Sequence, residues 1–160
     1  MIALPGRCAQ AIARSAEASY PEECCGLLIG TRGDRGAVSV TEAIASRNVA
    51  PPPRRDRFEV DPALRLSLMR RLRGTSEDIV GHFHSHPDAP AWPSARDAEM
   101  AFEPELLWLL VPVAAGRAGA IRAFRWAPEA GRFVAEPLRV EPGAEGTPGD
   151  EPWDEKGRAE

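Results

Sequence analysis

The spacing of apolar and polar residues changes several times along the chain, and each change predicts an element. Ala9 to Tyr20 is rich in alanine, the best helix former, and predicts a helix that Pro21 stops. Cys24 to Gly30 is a compact apolar run of the length of a buried strand. Gly33-Asp34-Arg35-Gly36 is a turn signal, and Ala37 to Val49 alternates loosely enough for one or two paired strands. Pro51-Pro52-Pro53 with Arg54, Arg55 and Arg57 reads as a stiff basic connection, followed by a short strand at Phe58 to Val60. Asp61-Pro62 opens a helix, with proline at the first helical position. That helix should run to about Arg73, end at Gly74 and bury a stripe of Leu64, Leu68 and Leu72. Asp78-Ile79-Val80-Gly81 predicts another strand, Ser94 to Phe102 a short helix. Glu105 to Val113, Ile121 to Trp126 and Phe133 to Leu138 predict three further strands. This order predicts an α+β domain over residues 1–140, a mixed sheet with helices packed on its faces.

Composition sharpens the picture at the C-terminal end. Residues 141–160 carry seven acidic and two basic residues with repeated Pro and Gly, and predict a disordered acidic tail. The other 140 carry 18 basic and 17 acidic residues, so the body is nearly neutral and shows no nucleic-acid footprint. Cys8, Cys24 and Cys25 are an odd count with an adjacent pair, which does not suit a disulfide framework. No apolar run is long enough to span a membrane, and Pro5 and Arg7 interrupt any signal-peptide pattern. A cytoplasmic protein with no membrane partner is the expectation.

The candidate chemistry is concentrated in one stretch. All three histidines fall within His82-Phe83-His84-Ser85-His86-Pro87. Alternate strand residues share a face, so His84 and His86 can lean toward one metal ion, at a strand end that Pro87 marks. Downstream, Ser94-Ala95-Arg96-Asp97 has the spacing of a capping box at a helix start. Asp97 is also a carboxylate within reach of two imidazoles. Two imidazoles and a carboxylate make a three-ligand set that leaves a fourth position for water, as catalytic zinc sites do, although other divalent ions suit the same donors.

Glu23-Cys24-Cys25-Gly26, Gly81-His82-Phe83-His84-Ser85-His86-Pro87 and Ser94-Ala95-Arg96-Asp97 together resemble the signature of the JAMM (MPN+) metallopeptidases. That signature is an upstream glutamate, then His-x-His, seven residues, Ser, two residues and Asp. The resemblance runs from about residue 2 to residue 138, and the compact size resembles the stand-alone prokaryotic members. It implies one zinc per chain, held by His84, His86 and Asp97, with Glu23 rather than Glu22 as the base for the catalytic water. It also implies that Ser94 donates a hydrogen bond to the developing oxyanion. His82 shares the strand face of His84 and His86, so a three-histidine site is an alternative to a buried or rim residue. Cys24 and Cys25 read as small core residues, with a redox-sensitive thiol as the alternative. Trp92 reads equally as part of a substrate groove or as cover for the core.

The resemblance further implies hydrolysis of the bond after the C-terminal Gly-Gly of a ubiquitin-like modifier or sulfur-carrier protein. The leaving group could be a cysteine, a peptide extension or a lysine-linked protein. Two other readings compete: a non-catalytic scaffold of the same fold, which typically lacks the ligands, and a zinc hydrolase of a small-molecule amide. A nucleobase deaminase is excluded, because no His-x-Glu with Pro-Cys-x-x-Cys is present.

Overall fold

The structure is a computed structural model and describes residues 1–142. In chain order its elements are β1 (Ile2–Leu4), α1 (Gly6–Ser19), β2 (Cys25–Arg32), β3 (Val38–Ser46), α2 (Pro62–Leu72) and β4 (Asp78–Pro87). They continue with α3 (Ala95–Glu99), β5 (Leu107–Ala114), β6 (Arg117–Ala118), β7 (Arg122–Ala127), β8 (Arg132–Glu136) and β9 (Leu138–Val140). One mixed sheet takes every strand in the order β8-β7-β5-β4-β2-β3-β1-β9, with β6 added to β5. Pairing is parallel between β4 and β5 and where β1 meets β3 and β9, and antiparallel elsewhere.

The two faces of this sheet have different cores. On one, α1 lays Cys8, Ile12 and Ala16 against Leu28, Val80, Phe83, Leu109 and Val111. On the other, α2 lays Leu68 and Leu72 against Leu27, Ile29 and Ile79, while Trp108, Leu110 and Phe124 form a second apolar cluster. Each fully buried aliphatic or aromatic side chain contributes about 1.5–3 kcal/mol. Strand alternation in β4 therefore sends Phe83 and Ser85 toward α1, and His82, His84 and His86 toward the face of α2. Close strand approach in the centre depends on glycine. A Cβ at Gly81 would run into the Leu107 carbonyl, and one at Gly26 into the Ile44 carbonyl and the Phe83 ring.

Several predicted boundaries move. Helix α1 begins at Gly6, three residues before the alanine-rich run, directly after Pro5. The expected strand at Phe58 to Val60 is a single bridge, Asn48 to Val60, because this segment packs by its side chains rather than along a ladder. Leu68 and Leu72 are buried as the stripe predicts, whereas Leu64 is only half-buried. Asp61 caps α2 by accepting the Ala63 N–H, and Gly74 leaves it at positive φ. Helix α3 stops at Glu99. The strand expected over Phe133 to Leu138 is two, because Pro137 interrupts it. Its carbonyl accepts the Ile2 N–H, and β9 joins β1 at the opposite edge from β8. With one residue between them, β8 and β9 require the sheet to curl until its edges approach each other. The predicted tail falls mostly on residues 143–160, outside the described residues. No helix among the described residues is long and apolar enough to cross a membrane.

Candidate metal centre

Register brings the candidate residues together. Strands β2 and β4 pair Leu27 with His82 and Cys25 with His84. Continued by one residue, the same register sets Cys24 opposite Ser85, where the Cys24 N–H donates to Ser85 Oγ at 2.7 Å and the Ser85 N–H to the Cys24 carbonyl at 3.2 Å. One more step sets Glu23 opposite His86, on the same face. The chain then leaves β4 for its parallel neighbour β5, and this crossover carries α3 back over the strand end. Asp97 arrives from there.

The donors converge tightly. His84 Nε2 and His86 Nε2 lie 3.0 Å apart, and the Asp97 carboxylate lies 3.1 Å from the first and 3.2 Å from the second. All three residues are buried. His86 Nδ1 donates to the Pro90 carbonyl at 2.9 Å, which leaves the Nε2 lone pair facing the cluster. His84 is held by stacking on Phe58 at 4.3 Å between centroids. The capping box and the carboxylate role coexist: Ser94 Oγ accepts the Asp97 N–H at 3.1 Å, and the Ser94 N–H donates to Asp97 Oδ2 at 2.7 Å. Burial would raise the Asp97 pKa, but the two imidazoles and the Ser94 amide hold it far below the usual carboxylate range. Burial lowers His84, while the Asp97 carboxylate and the Pro90 carbonyl outweigh burial and raise His86.

Glu23 lies beside this triangle. It offers a carboxylate oxygen within 4.8 Å of the ligating atoms of both histidines, and its Oε2 is buried without a partner. Burial first, then the Asp97 and Asp56 charges, push its pKa up to about 9. Glu22 is exposed and pairs with Arg54 at 3.6 Å. Such a donor set fits a divalent cation. Ligands about 2.0–2.1 Å from a tetrahedral ion sit about 3.3 Å from one another, close to the observed separations. Without a cation, two facing imidazole nitrogens and an orphaned buried carboxylate are costly to hold together.

His82 does not join the cluster. Its ring lies 6.2 Å from that of His84 and packs edge-on to Trp108 at 4.1 Å, and burial drops its pKa to about 3. Cys24 and Cys25 are free, buried thiols, and burial pushes Cys25 up to about 12. Trp92 is half-exposed, with Arg122 stacked 4.1 Å over its ring and Phe124 beneath. Ser94 is exposed, and with Glu23 and His86 it borders a cavity of about 180 Å³. Sequence reasoning missed Phe58, Asn48 and the Pro90 carbonyl. Asn48 Nδ2 donates to both the Glu23 and Arg57 carbonyls and so ties the basic loop to the site. No periodicity signals these three: Phe58 and Asn48 act through contacts distant in sequence, and the Pro90 carbonyl is a backbone group in a loop.

The sequence profile of the family described as prokaryotic homologs of the JAB domain matches residues 5–127. The chain belongs to this family. Among its JAB relatives, the desampylase of Haloferax volcanii is 39% identical over 90 residues, 56% of this chain and 62% of that protein. Less than two thirds of the desampylase is therefore matched. The CysO-cysteine peptidase of Mycobacterium tuberculosis is 28% identical over 131 residues, 81% of this chain and 84% of that protein. A solution structure of a Desulfitobacterium hafniense protein superposes with a TM-score of 0.77 at 27% identity, covering 91% of this chain and 96% of its own. The JAB1/MPN domain protein of Archaeoglobus fulgidus, at 18% identity and a TM-score of 0.54, covers 88% of this chain and 98% of its own. The α+β architecture predicted from the sequence is thus that of a single MPN domain.

Proposed function

We propose that this chain is a zinc-dependent peptidase that hydrolyses the bond after the C-terminal Gly-Gly of a ubiquitin-like or sulfur-carrier protein. The observation that carries this reading is the triangle of His84, His86 and Asp97, with the buried Glu23 carboxylate beside it. The names of the two relatives support the substrate class. In this reading His84, His86 and Asp97 hold one zinc ion. When bound, zinc supplies Lewis acidity, which brings the pKa of a water down to about 7.

The chain's own residues do the rest. Pro90 and Phe58 fix the imidazole rings, and the Ser94 amide fixes the Asp97 carboxylate. Glu23 stands beside the triangle, so its ionised carboxylate accepts a proton from the attacking water and passes it to the leaving nitrogen. The water oxygen bonds the glycine carbonyl carbon, and the carbon–nitrogen bond breaks to give a carboxylate and an amine. The Ser94 hydroxyl accepts from the Asp97 amide and keeps its own hydrogen to donate to the oxyanion. A Gly-Gly end suits a narrow approach, because glycine has no Cβ to meet the walls. Three unpaired buried thiols are what a reducing compartment preserves, so we assign the enzyme to the cytoplasm.

The test offers a ubiquitin-like carrier extended beyond Gly-Gly and reads the products by mass spectrometry. Release of the extension after the second glycine should depend on zinc and be blocked when that glycine is made bulky. Cleavage elsewhere, or equal cleavage of the bulky variant, overturns the substrate assignment.

A further inference from the structure

The loop between β3 and α2 is fastened directly to Glu23. The Glu23 N–H donates to the Arg54 carbonyl at 2.7 Å, Asn48 bridges the Glu23 and Arg57 carbonyls, and Arg54 Nε donates to the Ala50 carbonyl at 2.7 Å. The next residue, Arg55, is consequently held beside the catalytic carboxylate. It lines the cavity of about 180 Å³ together with Glu23, His86 and Ser94.

The other arginines of this loop are paired, Arg47 with Asp61 among them. Arg54 pairs with Glu22, and Asp56 takes both Arg57 and Arg96. Asp88, between the cavity residues Pro87 and Ala89, accepts the Tyr20 hydroxyl and the Ala115 N–H. Among the described residues, no carboxylate or carbonyl hydrogen-bonds or ion-pairs with the Arg55 guanidinium. A cation left free at the mouth of a small cavity is a site for an anion, and a planar fork fits a carboxylate.

Resting on the proposed function, we infer that Arg55 binds the α-carboxylate of the leaving group, so that the preferred leaving group is a single amino acid with a free C-terminus. The chemistry sets the direction. Glu23 must reach the leaving nitrogen, so the leaving residue occupies the Glu23 side of the site, where Arg55 stands. In an α-linked residue the carboxylate is one carbon away from that nitrogen. In a lysine side-chain conjugate the nitrogen is followed by four methylenes, and no carboxylate comes near. The cavity is also below the roughly 300–1,000 Å³ of sites for drug-sized ligands, a scale suited to one residue.

The test compares three probes built on one ubiquitin-like carrier ending in Gly-Gly: a single added alanine as the free acid, the same alanine as its carboxamide, and a conjugate to the Nε of a blocked lysine. The zinc-loaded protein should favour the free acid over the carboxamide by about 10- to 100-fold in kcat/KM, the worth of one charged hydrogen-bonded pair. The lysine conjugate should fall with the carboxamide. Arg55→Ala should bring the acid-to-amide ratio close to one, and Arg55→Lys should restore part of it. Calorimetry on the Glu23→Gln protein should show the same preference in binding alone. Equal cleavage of acid and amide by the native protein, or an unchanged ratio in Arg55→Ala, overturns this inference and leaves the proposed function standing. Cleavage of none of the three probes overturns both.

Discussion

Glu23 shows how much of a site is set by one residue's surroundings. Its carboxylate is buried, one oxygen has no partner, and its pKa is raised to about 9 against an ordinary 4.5. An acid raised in the folded state binds more protons folded than unfolded. The contribution of Glu23 to the stability of the metal-free protein should therefore be full below about pH 4.5 and be lost as pH rises toward 9. Glu23→Gln is nearly isosteric and cannot ionise, so it removes that decline. In chelated protein the melting temperature of Glu23→Gln should exceed that of the native chain by a margin that grows between pH 5 and pH 9. In zinc-loaded protein the same change should keep the metal yet cost about 10²–10⁴-fold in activity, the usual worth of a general base. A constant margin would show that Glu23 is not held protonated, and full activity would move the base elsewhere.

At the scale of elements, what the sequence made legible was whatever local chemistry controls. The apolar run at Cys24 to Gly30, the Asp61-Pro62 helix start and the Ser94 cap are all readable because the signal lies within a few residues. The convergence of His84, His86 and Asp97 was readable for a different reason: His84 and His86 share a strand face, and Ser94-x-x-Asp97 fixes the carboxylate three residues into a turn. Strand β1 was not readable, since Ile2 to Leu4 is too short to carry a period and gains its partners from β3 and β9. Phe58 to Val60 was read as a short strand, whereas the structure uses the Phe58 ring as a platform for His84. The glycines belong to the same lesson. Gly81 falls inside the predicted strand, and its role shows only where the Leu107 carbonyl stands in the place of its Cβ. Gly81→Ala should push β4 from β5 at the base of the histidine run and cost about 1–3 kcal/mol or more. For a chain of this size that is roughly 2–4 °C of melting temperature per kcal/mol, read by scanning calorimetry. An unchanged melting temperature would mean the strands have room after all.

For the whole molecule, the candidate metal centre acts as a junction. His84 and His86 come from the central strand β4, Asp97 from the crossover helix α3, and Glu23 from the segment entering β2, itself bound to the basic loop through Arg54 and Asn48. Glu23 and the basic loop lie far in sequence from β4 and α3, so an ion held there would couple the centre of the sheet to both surface loops that border the cavity. An ion that binds the folded state alone stabilises it by mass action, by about 2.7 kcal/mol when free metal is a hundred times Kd. Chelation should thus lower the melting temperature of the native protein by several degrees, and added zinc should restore it. His84→Ala and Asp97→Ala each remove one corner of the triangle, and both should lose zinc by elemental analysis and show no response to chelator. The comparison has to be made within each variant, because both substitutions also leave a void in a buried polar cluster and lower the metal-free baseline. Zinc at one per chain in both variants, with the chelator response intact, would remove His84 and Asp97 from the ligand set and dissolve the junction with them.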